Sequence, residues 1–418
     1  MTQLDPLPDH RQRVIVCGTS VRKPLDILQP YLHSLAYQEL PPQTALHFCF
    51  APDFEQPNTD AEQFLREWVK ERNGECLRGV PGTPADFQEG PVTHVWSLSS
   101  MRRVGQNKNK ILRRALDLKA DAVFLCDADL ILDRTTLASL LATERHLATA
   151  VYWTYWNKEG QETRQIHAAP QVWLRHPYGL DGRGMDAAEF RQKLVAKELT
   201  RVWGFGACTL IGRRVLEAGI DFSPAPEVPQ TGIMAGEDRQ FCIKCERGHL
   251  EAFADPWPDI FHIYHRADNV PQIPEMVARL GRPHPLHARL GDLVSLRLHA
   301  LEPIPRSPTQ ASIYPPHFAR GRLGQLSLMP ELEEAVYGLA RGEKQIVRIH
   351  CAAHHPFPFY RGRARLMEVQ LIDCKPWGAP PVLERELYIG SASQATMDHT
   401  DLTTEMHEGI KEMAVVGG

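Results

Sequence analysis

Residues 122–132 read A-V-F-L-C-D-A-D-L-I-L, a short apolar run that ends in Asp127 and Asp129. An apolar run of this length is typical of a strand that is buried on both faces. Alternate residues of a strand share a face, so an extended backbone beyond Cys126 projects both carboxylates to the same side. Two adjacent carboxylates repel each other unless a cation or a hydrogen-bond donor lies between them. A divalent cation that also binds phosphate oxygens satisfies such a pair. The stretch therefore predicts a metal–diphosphate site at the end of a buried strand.

Strand and helix signals alternate on the N-terminal side of this stretch. Strands are predicted at 13–17, 45–50 and 122–126, with 93–98 as a candidate for another, and helices at 25–40, 60–72 and 107–118. Repeated strand–helix–strand units predict a mostly parallel sheet with helices on both faces. Ligands of such sheets bind at the carboxyl ends of the strands. Residues 18–22, Asp53 and the two aspartates all fall at this edge.

Composition narrows the class of protein. The chain has 418 residues, enough for two to three domains, with 43% hydrophobic residues and a formal net charge of −4. A charge so near neutral argues against a dedicated nucleic-acid-binding protein. No apolar run approaches the roughly 20 residues that span a bilayer, and the polar N-terminus lacks the features of a secretory signal. The nine cysteines, several of them inside apolar runs, indicate reduced, buried thiols. We expect a cytoplasmic protein.

The second half of the chain divides near residues 281–285, where the composition becomes linker-like. Beyond this point the segments 292–299, 345–351 and 365–372 alternate with period two around one helix, at 330–339. This pattern predicts a separate α+β domain. We therefore expect domains at 1–280 and 290–378, followed by an unassigned tail at 379–418.

An acidic pair, Glu237-Asp238, begins a predicted helix and is followed by His262 and His265. One of two such carboxylates can act as a general base, although acids at a helix start are also stabilised by the helix dipole. Cys242 and Cys245 form a C-x-x-C inside the same helix. Because no second cysteine pair accompanies it, we expect no zinc or redox site there.

The order of these features resembles the nucleotide-sugar-dependent glycosyltransferases of the GT-A fold, especially family 2. The shared features are a Gly-Thr-Ser-Val-Arg loop after the first strand, an aspartate after the second, a Lys/Asn-rich helix, a D-x-D motif and the Glu-Asp pair. The resemblance covers residues 12–270. It implies a Rossmann-like α/β domain that transfers a sugar from a nucleotide sugar, with a UDP sugar as the expected donor. The acceptor would be a saccharide, a lipid or a protein, and the cofactor Mn²⁺ or Mg²⁺.

The resemblance also assigns residues of this chain. The nucleotide would contact Thr19, Ser20, Arg22, Asp53, Lys108, Asn109 and Asp127. Gly18 and Val21 differ from the family, which has proline and asparagine at these positions. Asp129 would bind the cation directly, together with His262 or His265, of which His265 is favoured. Asp238 would be the catalytic base of an inverting transfer, with Glu237 orienting the acceptor or the base.

The C-terminal domain resembles an FKBP-type prolyl isomerase. A short helix, the motif G-L-A-R-G-E at 338–343 and an alternating strand occur in the order of that fold, and residues 354–360 stand where its active-site loop lies. The proline-pocket segment D-G-x-x-F-D is replaced by the proline-rich stretch 303–316. The resemblance therefore implies a degenerate, FKBP-like domain that contacts a polypeptide or packs on the first domain. An alternative function follows, a non-catalytic polypeptide-binding or chaperone-like protein with a decayed transferase domain, which the differences at Gly18 and Val21 motivate.

Overall fold

The computed structural model describes residues 12–56, 59–87, 97–157, 166–175, 184–206, 208–228, 230, 236–263, 269–289, 291–301, 317–324, 328–350 and 364–375. All of these residues belong to one compact unit, Met1–Ala379.

Strands and helices alternate through the first 280 residues. In chain order they are β1 (Arg13–Gly18), β2 (Ser20–Val21), α1 (Leu25–Ala36), β3 (Thr44–Pro52), α2 (Asp60–Lys70), β4 (Gly74–Cys76), α3 (Leu98–Asp117), β5 (Ala122–Cys126), β6 (Leu130–Leu132), α4 (Thr136–Ala142), β7 (Leu147–Ala150), β8 (Trp153–Asn157), β9 (Ile166–Pro170), β10 (Val172–Trp173), α5 (Ala187–Val195), β11 (Thr200–Val202), β12 (Gly204–Phe205), β13 (Cys208–Gly212), α6 (Arg213–Glu217), α7 (Glu237–Arg247), β14 (Ala252–Asp255), β15 (Ile260–His262) and α8 (Ile273–Leu280). Short 3₁₀ turns lie at Pro84–Phe87 and Val270–Gln272.

One large sheet forms the centre of the described part of the chain. Its strand order is β11-β14-β7-β13-β5-β1-β3-β2, and β4 pairs with β3. Parallel pairing joins β1 to β3 and β5, β3 to β2 and β4, and β7 to β14. Strand β13 is antiparallel to β5 and β7, and β11 is antiparallel to β14. The predicted mixed α/β class with a mostly parallel sheet is confirmed.

Helix α3 is longer than its apolar pattern predicts. It begins at Leu98, where the Ser97 hydroxyl caps the amide of Ser100, instead of at Asn107. The first half of its buried face is polar, since Ser100, Arg103 and Asn107 are all buried. Apolar periodicity therefore could not detect these turns. The candidate strand at 93–98 lies mostly outside the described residues, and its last two positions cap and begin the helix.

The backbone turns at the D-x-D motif instead of staying extended. Strand β5 ends at Cys126, and the amide of Leu130 donates a hydrogen bond to the carbonyl of Asp127 at 3.2 Å. The turn directs β6 away from the large sheet to pair with β15. The expectation that both carboxylates project from one strand face is therefore wrong, and their positions depend on this turn.

A smaller antiparallel sheet follows, as predicted. Its elements are β16 (Leu293–Ala300), β17 (His317–Arg322), α9 (Pro330–Val336), β18 (Lys344–His350) and β19 (Ala364–Lys375), with the strand order β17-β16-β19-β18. Its core contains Val294, Leu296, Val336 and Leu371. Both sheets lie in the same compact unit, so the division at 1–280 and 290–378 remains a prediction. The predicted FKBP-like loop at 354–360, the stretch 303–316 and the tail lie outside the described residues.

The two sheets are joined by buried charges. Arg320 of β17 donates to the carboxylate of Asp255 at 2.7 Å, and both side chains are almost fully buried. Asp373 of β19 accepts hydrogen bonds from Thr135 at 2.8 Å and from the indole of Trp257 at 2.9 Å. Polar contacts of this kind have strict geometry, so they fix the smaller sheet in one position on the larger domain.

In the described part of the chain, no helix has the length and apolarity that a bilayer span requires. The described cysteines are free thiols, and all are buried except Cys76, which is half-buried. Burial raises the pKa of Cys242 and Cys245, which disfavours the thiolate that zinc binding or redox chemistry needs.

Candidate functional site

The parallel strands β1, β3 and β5 end at one edge of the large sheet. This edge brings together the loop after β1, Asp53 after β3, and the turn that carries Asp127 and Asp129. Gly18 permits the arrangement, because a Cβ at this position would lie 1.7 Å from the carbonyl oxygen of Cys49. This close approach is a packing reason for glycine at position 18.

Asp129 is buried and already faces a cation. The ammonium of Lys23 lies 2.6 Å from Asp129 Oδ2, and His262 Nε2 lies 3.5 Å from the same oxygen. His262 Nδ1 is 3.0 Å from the hydroxyl of Thr154, which fixes the ring orientation. Burial raises the pKa of Asp129, but Lys23 and His262 outweigh this effect and hold it well below its usual value. Asp129 is therefore a stable carboxylate directed at a position for positive charge.

The side chains around Asp129 fit a divalent cation only in part. In the described residues, no three His, Cys, Asp or Glu side chains lie close enough together to form a ready-made metal site. Asp129 and His262 offer an oxygen and a nitrogen ligand, a set that suits Mn²⁺, and Lys23 stands where a cation is favourable. The remaining ligands would be diphosphate oxygens and water. His265, the favoured metal ligand, lies outside the described residues, whereas His262 lies beside Asp129.

Glu237 and Asp238 share a buried lysine. Lys108 is 1% exposed, and its ammonium lies 2.9 Å from Glu237 Oε1 and 2.6 Å from Asp238 Oδ1. Gly105 lets helix α3 approach α7, because a Cβ there would lie 3.2 Å from Glu237 Cβ and 2.9 Å from the Phe222 carbonyl oxygen. A diphosphate would thus have to compete with Glu237 and Asp238, which already form ion pairs with Lys108.

These charges change the protonation of the neighbouring acids. Burial raises the pKa of Asp238 to about 6, with Glu237 adding to the shift and Lys108 opposing it. Burial also raises the pKa of Asp127 to about 7, where Lys108 opposes the shift and Asp129 and Asp238 add to it. Burial lowers the pKa of Lys108, but Asp238 and Glu237 outweigh it and raise the net value. Asp238 is therefore a carboxylate that can take up a proton near neutral pH.

Asp53 lies beside a cavity of about 450 Å³. Arg103 lines this cavity and lies 3.2 Å from Asp53, and Asp86 lines it as well. Arg22 donates from Nη1 to the backbone carbonyl of Asp86 at 2.7 Å. Burial raises the pKa of Asp53 to about 6, although Arg103 and Arg22 oppose the shift. The volume is within the range of small-molecule sites.

Three further residues assigned to the nucleotide have internal partners or are buried. Thr19 is buried, and its carbonyl accepts the amide of Ala51. Ser20 accepts a hydrogen bond from Asn107 at 3.1 Å. Asn109 accepts the amide of Phe222 at 2.7 Å and donates to Ser223 at 3.0 Å, which gives it a structural role in fixing the loop before α7. Their nucleotide contacts remain predictions.

Several residues at the site were not assigned from the sequence. They are Lys23, Asp86, Arg103, Asn107 and Arg239. Lys23 follows Arg22 and Asn107 precedes Lys108, both of which the resemblance assigns, so their position in the sequence was a usable signal. Asp86 and Arg103 meet Asp53 only through the tertiary fold, and no local pattern marks them.

Two aromatic side chains near the site, Trp173 and Tyr152, pack against glycines. Gly204 and Gly206 admit them, because a Cβ on Gly204 would lie 1.7 Å from the Trp173 ring and one on Gly206 would lie 2.6 Å from the Tyr152 hydroxyl. The Tyr152 ring packs edge-on against His262, with ring centroids 5.2 Å apart. These contacts connect the β10–β12 ribbon to the neighbourhood of Asp129.

No protein-family model matches the chain, and a comparison with curated proteins gave no match. Solved structures of glycosyltransferases resemble it at low identity. TarS of S. aureus in complex with UDP is 14% identical over 58% of this chain and 57% of that chain, with a TM-score of 0.33. GalNAc-T7 with UDP, GalNAc and Mn²⁺ is 13% identical over 62% and 45%, with a TM-score of 0.39. The mannosyltransferase PcManGT of Pyrobaculum calidifontis with GDP-Man and Mn²⁺ is 14% identical over 61% and 59%, with a TM-score of 0.34. The chain thus spans less than two thirds of each of these relatives.

Proposed function

We propose that residues 12–270 form a GT-A glycosyltransferase domain that moves a sugar from a nucleotide sugar to an acceptor hydroxyl with inversion. The observation that carries the proposal is the meeting of two acidic centres at one sheet edge. One is Asp129, a carboxylate paired with a cation. The other is Asp238, a carboxylate with a raised pKa that is held by Lys108. A metal–diphosphate site next to a general base is the arrangement that such a transfer requires.

The nucleoside would occupy the cavity beside Asp53. Its walls offer the Asp86 carboxylate and the Arg103 guanidinium, which suit the hydrogen-bonding edge of a base and the hydroxyls of a ribose. Asp127, at the turn after β5, would accept from the ribose or bind the cation through water. A UDP sugar is the proposed donor.

A divalent cation, Mn²⁺ or Mg²⁺, would be held by Asp129 and His262 and would neutralise charge on the departing diphosphate. This chain contributes a buried carboxylate that stays ionised and an imidazole oriented by Thr154. Lys23 must leave Oδ2 for the cation to bind there, and its flexible side chain can then follow the phosphates.

Asp238 would act as the base. Lys108 engages Oδ1, so we assign Oδ2 to the acceptor proton. As the acceptor oxygen attacks the anomeric carbon, the proton moves to Oδ2 and the bond to the diphosphate oxygen breaks with its electron pair. Glu237 shares Lys108 and so helps to position Asp238 without accepting the proton.

The C-terminal sheet would act as a docked structural domain. Its contacts to the first domain are buried ion pairs and hydrogen bonds, which favour a fixed position over a free polypeptide-binding surface. The FKBP-like assignment, the polypeptide contact and the cytoplasmic location remain predictions.

A thermal-shift screen of UDP, GDP and their sugars, with and without Mn²⁺, tests the donor and the metal together. We expect UDP and UDP sugars to stabilise the protein only when Mn²⁺ is present, and Asp129→Ala to abolish this effect. Asp238→Asn should keep Mn²⁺–UDP binding and reduce UDP release from the donor by about 10²–10⁴-fold.

Equal UDP affinity with and without Mn²⁺ would contradict the proposal. If no nucleotide sugar binds and the protein binds an unfolded polypeptide tightly, the alternative, a chaperone-like protein, would be favoured instead.

A further inference from the structure

The Arg239 guanidinium lies over an aromatic ring, on the helix that carries the proposed base. Arg239 follows Asp238 in helix α7, and its guanidinium carbon lies 3.9 Å from the centre of the Trp173 ring. Trp173 pairs across the β10–β12 ribbon with Gly204. A side chain at Gly204 would overlap the ring, so the ring rests on bare backbone. A guanidinium stacked on tryptophan in this way is oriented before any ligand arrives.

The charge of Arg239 has no counter-charge in the part of the chain that the structure describes. Within the described residues, no acidic side chain forms an ion pair with it, and its neighbours Glu237 and Asp238 are both engaged by Lys108. Its Nε atom is buried and has no hydrogen-bond partner among the described residues. Burial lowers the pKa of Arg239 to about 10, so the group is still charged at neutral pH. Burying part of a cation without a counter-charge costs free energy, and binding of an anion would offset this cost.

A second arginine–tryptophan stack in the same domain shows the contrast. Arg201 lies 5.0 Å from the centre of the Trp203 ring. Its guanidinium is paired with Glu246 and with Glu251, each at 3.3 Å. Within the described part of the chain, the Arg201 stack is therefore neutralised by two glutamates, whereas no acidic side chain is paired with Arg239.

We propose that Arg239 and Trp173 form an anion subsite that binds a phosphate or carboxylate group of the acceptor. The assignment of the ligand as acceptor rests on the proposed function, because Arg239 follows the proposed base, Asp238, in helix α7. Arginine offers two parallel N–H groups that match either anion. The ribbon that carries Trp173 also contacts Tyr152 through Gly206, and Tyr152 contacts His262. These contacts connect the subsite to the neighbourhood of Asp129.

The test compares three sugars that differ in charge: glucose 6-phosphate, glucuronate and glucose. Each is titrated calorimetrically into the full-length protein at constant ionic strength, with and without saturating Mn²⁺ and UDP. We expect at least one charged sugar to bind tenfold or more tightly than glucose, and the tighter of the two identifies the preferred anion.

Variants assign the preference to this stack. Arg239→Gln should abolish the preference for charge, and Arg239→Lys should keep part of it because the charge remains without the planar fork. Trp173→Leu should weaken it, since the guanidinium loses its support. Arg201→Gln, in the neutralised stack, should leave it unchanged. Thermal unfolding of each variant confirms that it is folded.

Equal affinity for all three sugars, no binding of any of them up to tens of millimolar, or a preference that survives Arg239→Gln overturns the subsite. Failure of the proposed function has a different signature. In that case Mn²⁺-dependent UDP binding is absent while the charged sugars still discriminate through Arg239.

Discussion

At the scale of single residues, Asp127 and Asp129 differ in the charges they face. Asp129 lies against Lys23 and His262, whereas Asp127 is influenced mainly by Lys108 and by the other acids around it. Burial raises the pKa of both carboxyl groups. Lys23 and His262 nevertheless keep the pKa of Asp129 low, whereas the pKa of Asp127 rises to about 7. The D-x-D spacing predicts that both residues belong to the site. It could not predict these partners, because Lys23 and Lys108 arrive from other elements of the fold.

Lys23 should compete with a divalent cation for Asp129. Its ammonium lies 2.6 Å from Oδ2, so a metal ion must displace it. We expect Lys23→Met to bind Mn²⁺ alone roughly tenfold more tightly at low ionic strength, because Asp129 then lacks its counter-charge. Calorimetric titration of Mn²⁺ measures this change. Lys110→Met is the matched control, since Lys110 donates to the backbone carbonyl of Arg78. Unchanged affinity in Lys23→Met would argue against competition.

Lys108 should set the pH at which the base becomes active. Asp238 is faced by Lys108 from α3, by Glu237 from its own helix, and by Asp127 and Tyr152 across the site. Of these groups, only Lys108 lowers the pKa of Asp238, which is about 6. Lys108→Met should therefore raise this pKa by roughly one unit or more, and the acidic limb of kcat/KM for UDP release should move to higher pH by the same amount.

Two comparisons separate this effect from a loss of structure. Lys197→Met removes another buried lysine, one that donates to the carbonyl of Pro256, and should leave the acidic limb in place. Mn²⁺–UDP affinity should be unchanged in Lys108→Met. A large loss of that affinity would instead indicate that Lys108 contacts the diphosphate, as the sequence predicts.

At the scale of elements, the site depends on close approach between strands and on a turn. Tyr31 of α1 donates from its hydroxyl to the carbonyl of Cys126 at 2.8 Å, directly before the turn that carries the aspartates. The apolar pattern predicts that α1 packs Tyr31 inward, and the residue is buried. The pattern cannot predict the hydrogen bond, since its acceptor lies in strand β5, 95 residues along the chain from Tyr31.

Gly18→Ala should destabilise the sheet edge. The added methyl group would overlap the backbone carbonyl of Cys49. The overlap could be relieved only if β1 and β3 moved apart, which would break their pairing. We expect a loss of roughly 1–3 kcal/mol or more in the free energy of unfolding, measured by urea denaturation. Gly248→Ala is the control, because its nearest neighbour would be a flexible Ile220 side chain at 3.3 Å. Equal stability of both variants would contradict the close approach at Gly18.

At the scale of the whole molecule, the sequence predicts layers better than it predicts contacts between them. Period-two alternation predicts three strands of the C-terminal sheet, β16, β18 and β19, but not β17, and apolar runs predict β1, β3 and β5. Neither pattern indicates that Asp133, four residues beyond Asp129, meets His284 and Lys375. These side chains come from segments up to 242 residues apart and are brought together only by folding. Contacts between distant charged residues leave no local signal in one sequence.

This buried cluster gives the molecule a pH-dependent stability. His284 Nδ1 lies 2.8 Å from Asp373 and Nε2 lies 3.3 Å from Asp133, with Lys375 and Arg341 as the other cations facing these acids. Burial lowers the pKa of His284, but Asp133 and Asp373 outweigh it and raise it to about 10. Because the pKa is higher in the folded state, the stabilisation is complete below about pH 6.5 and is lost as the pH rises toward 10.

His284→Gln should therefore remove this alkaline dependence. At pH 6.5 the variant should lose roughly 3–5 kcal/mol of unfolding free energy, because two buried carboxylates lose their shared cation. The difference from the wild-type protein should shrink as the pH approaches 10, which urea denaturation at several pH values can follow. His350→Gln is the matched control, since His350 is exposed and lies 3.3 Å from Glu331. A difference that stays constant with pH would mean that His284 is neutral in the folded protein, and the two sheets would then be joined by hydrogen bonds without this ion pair.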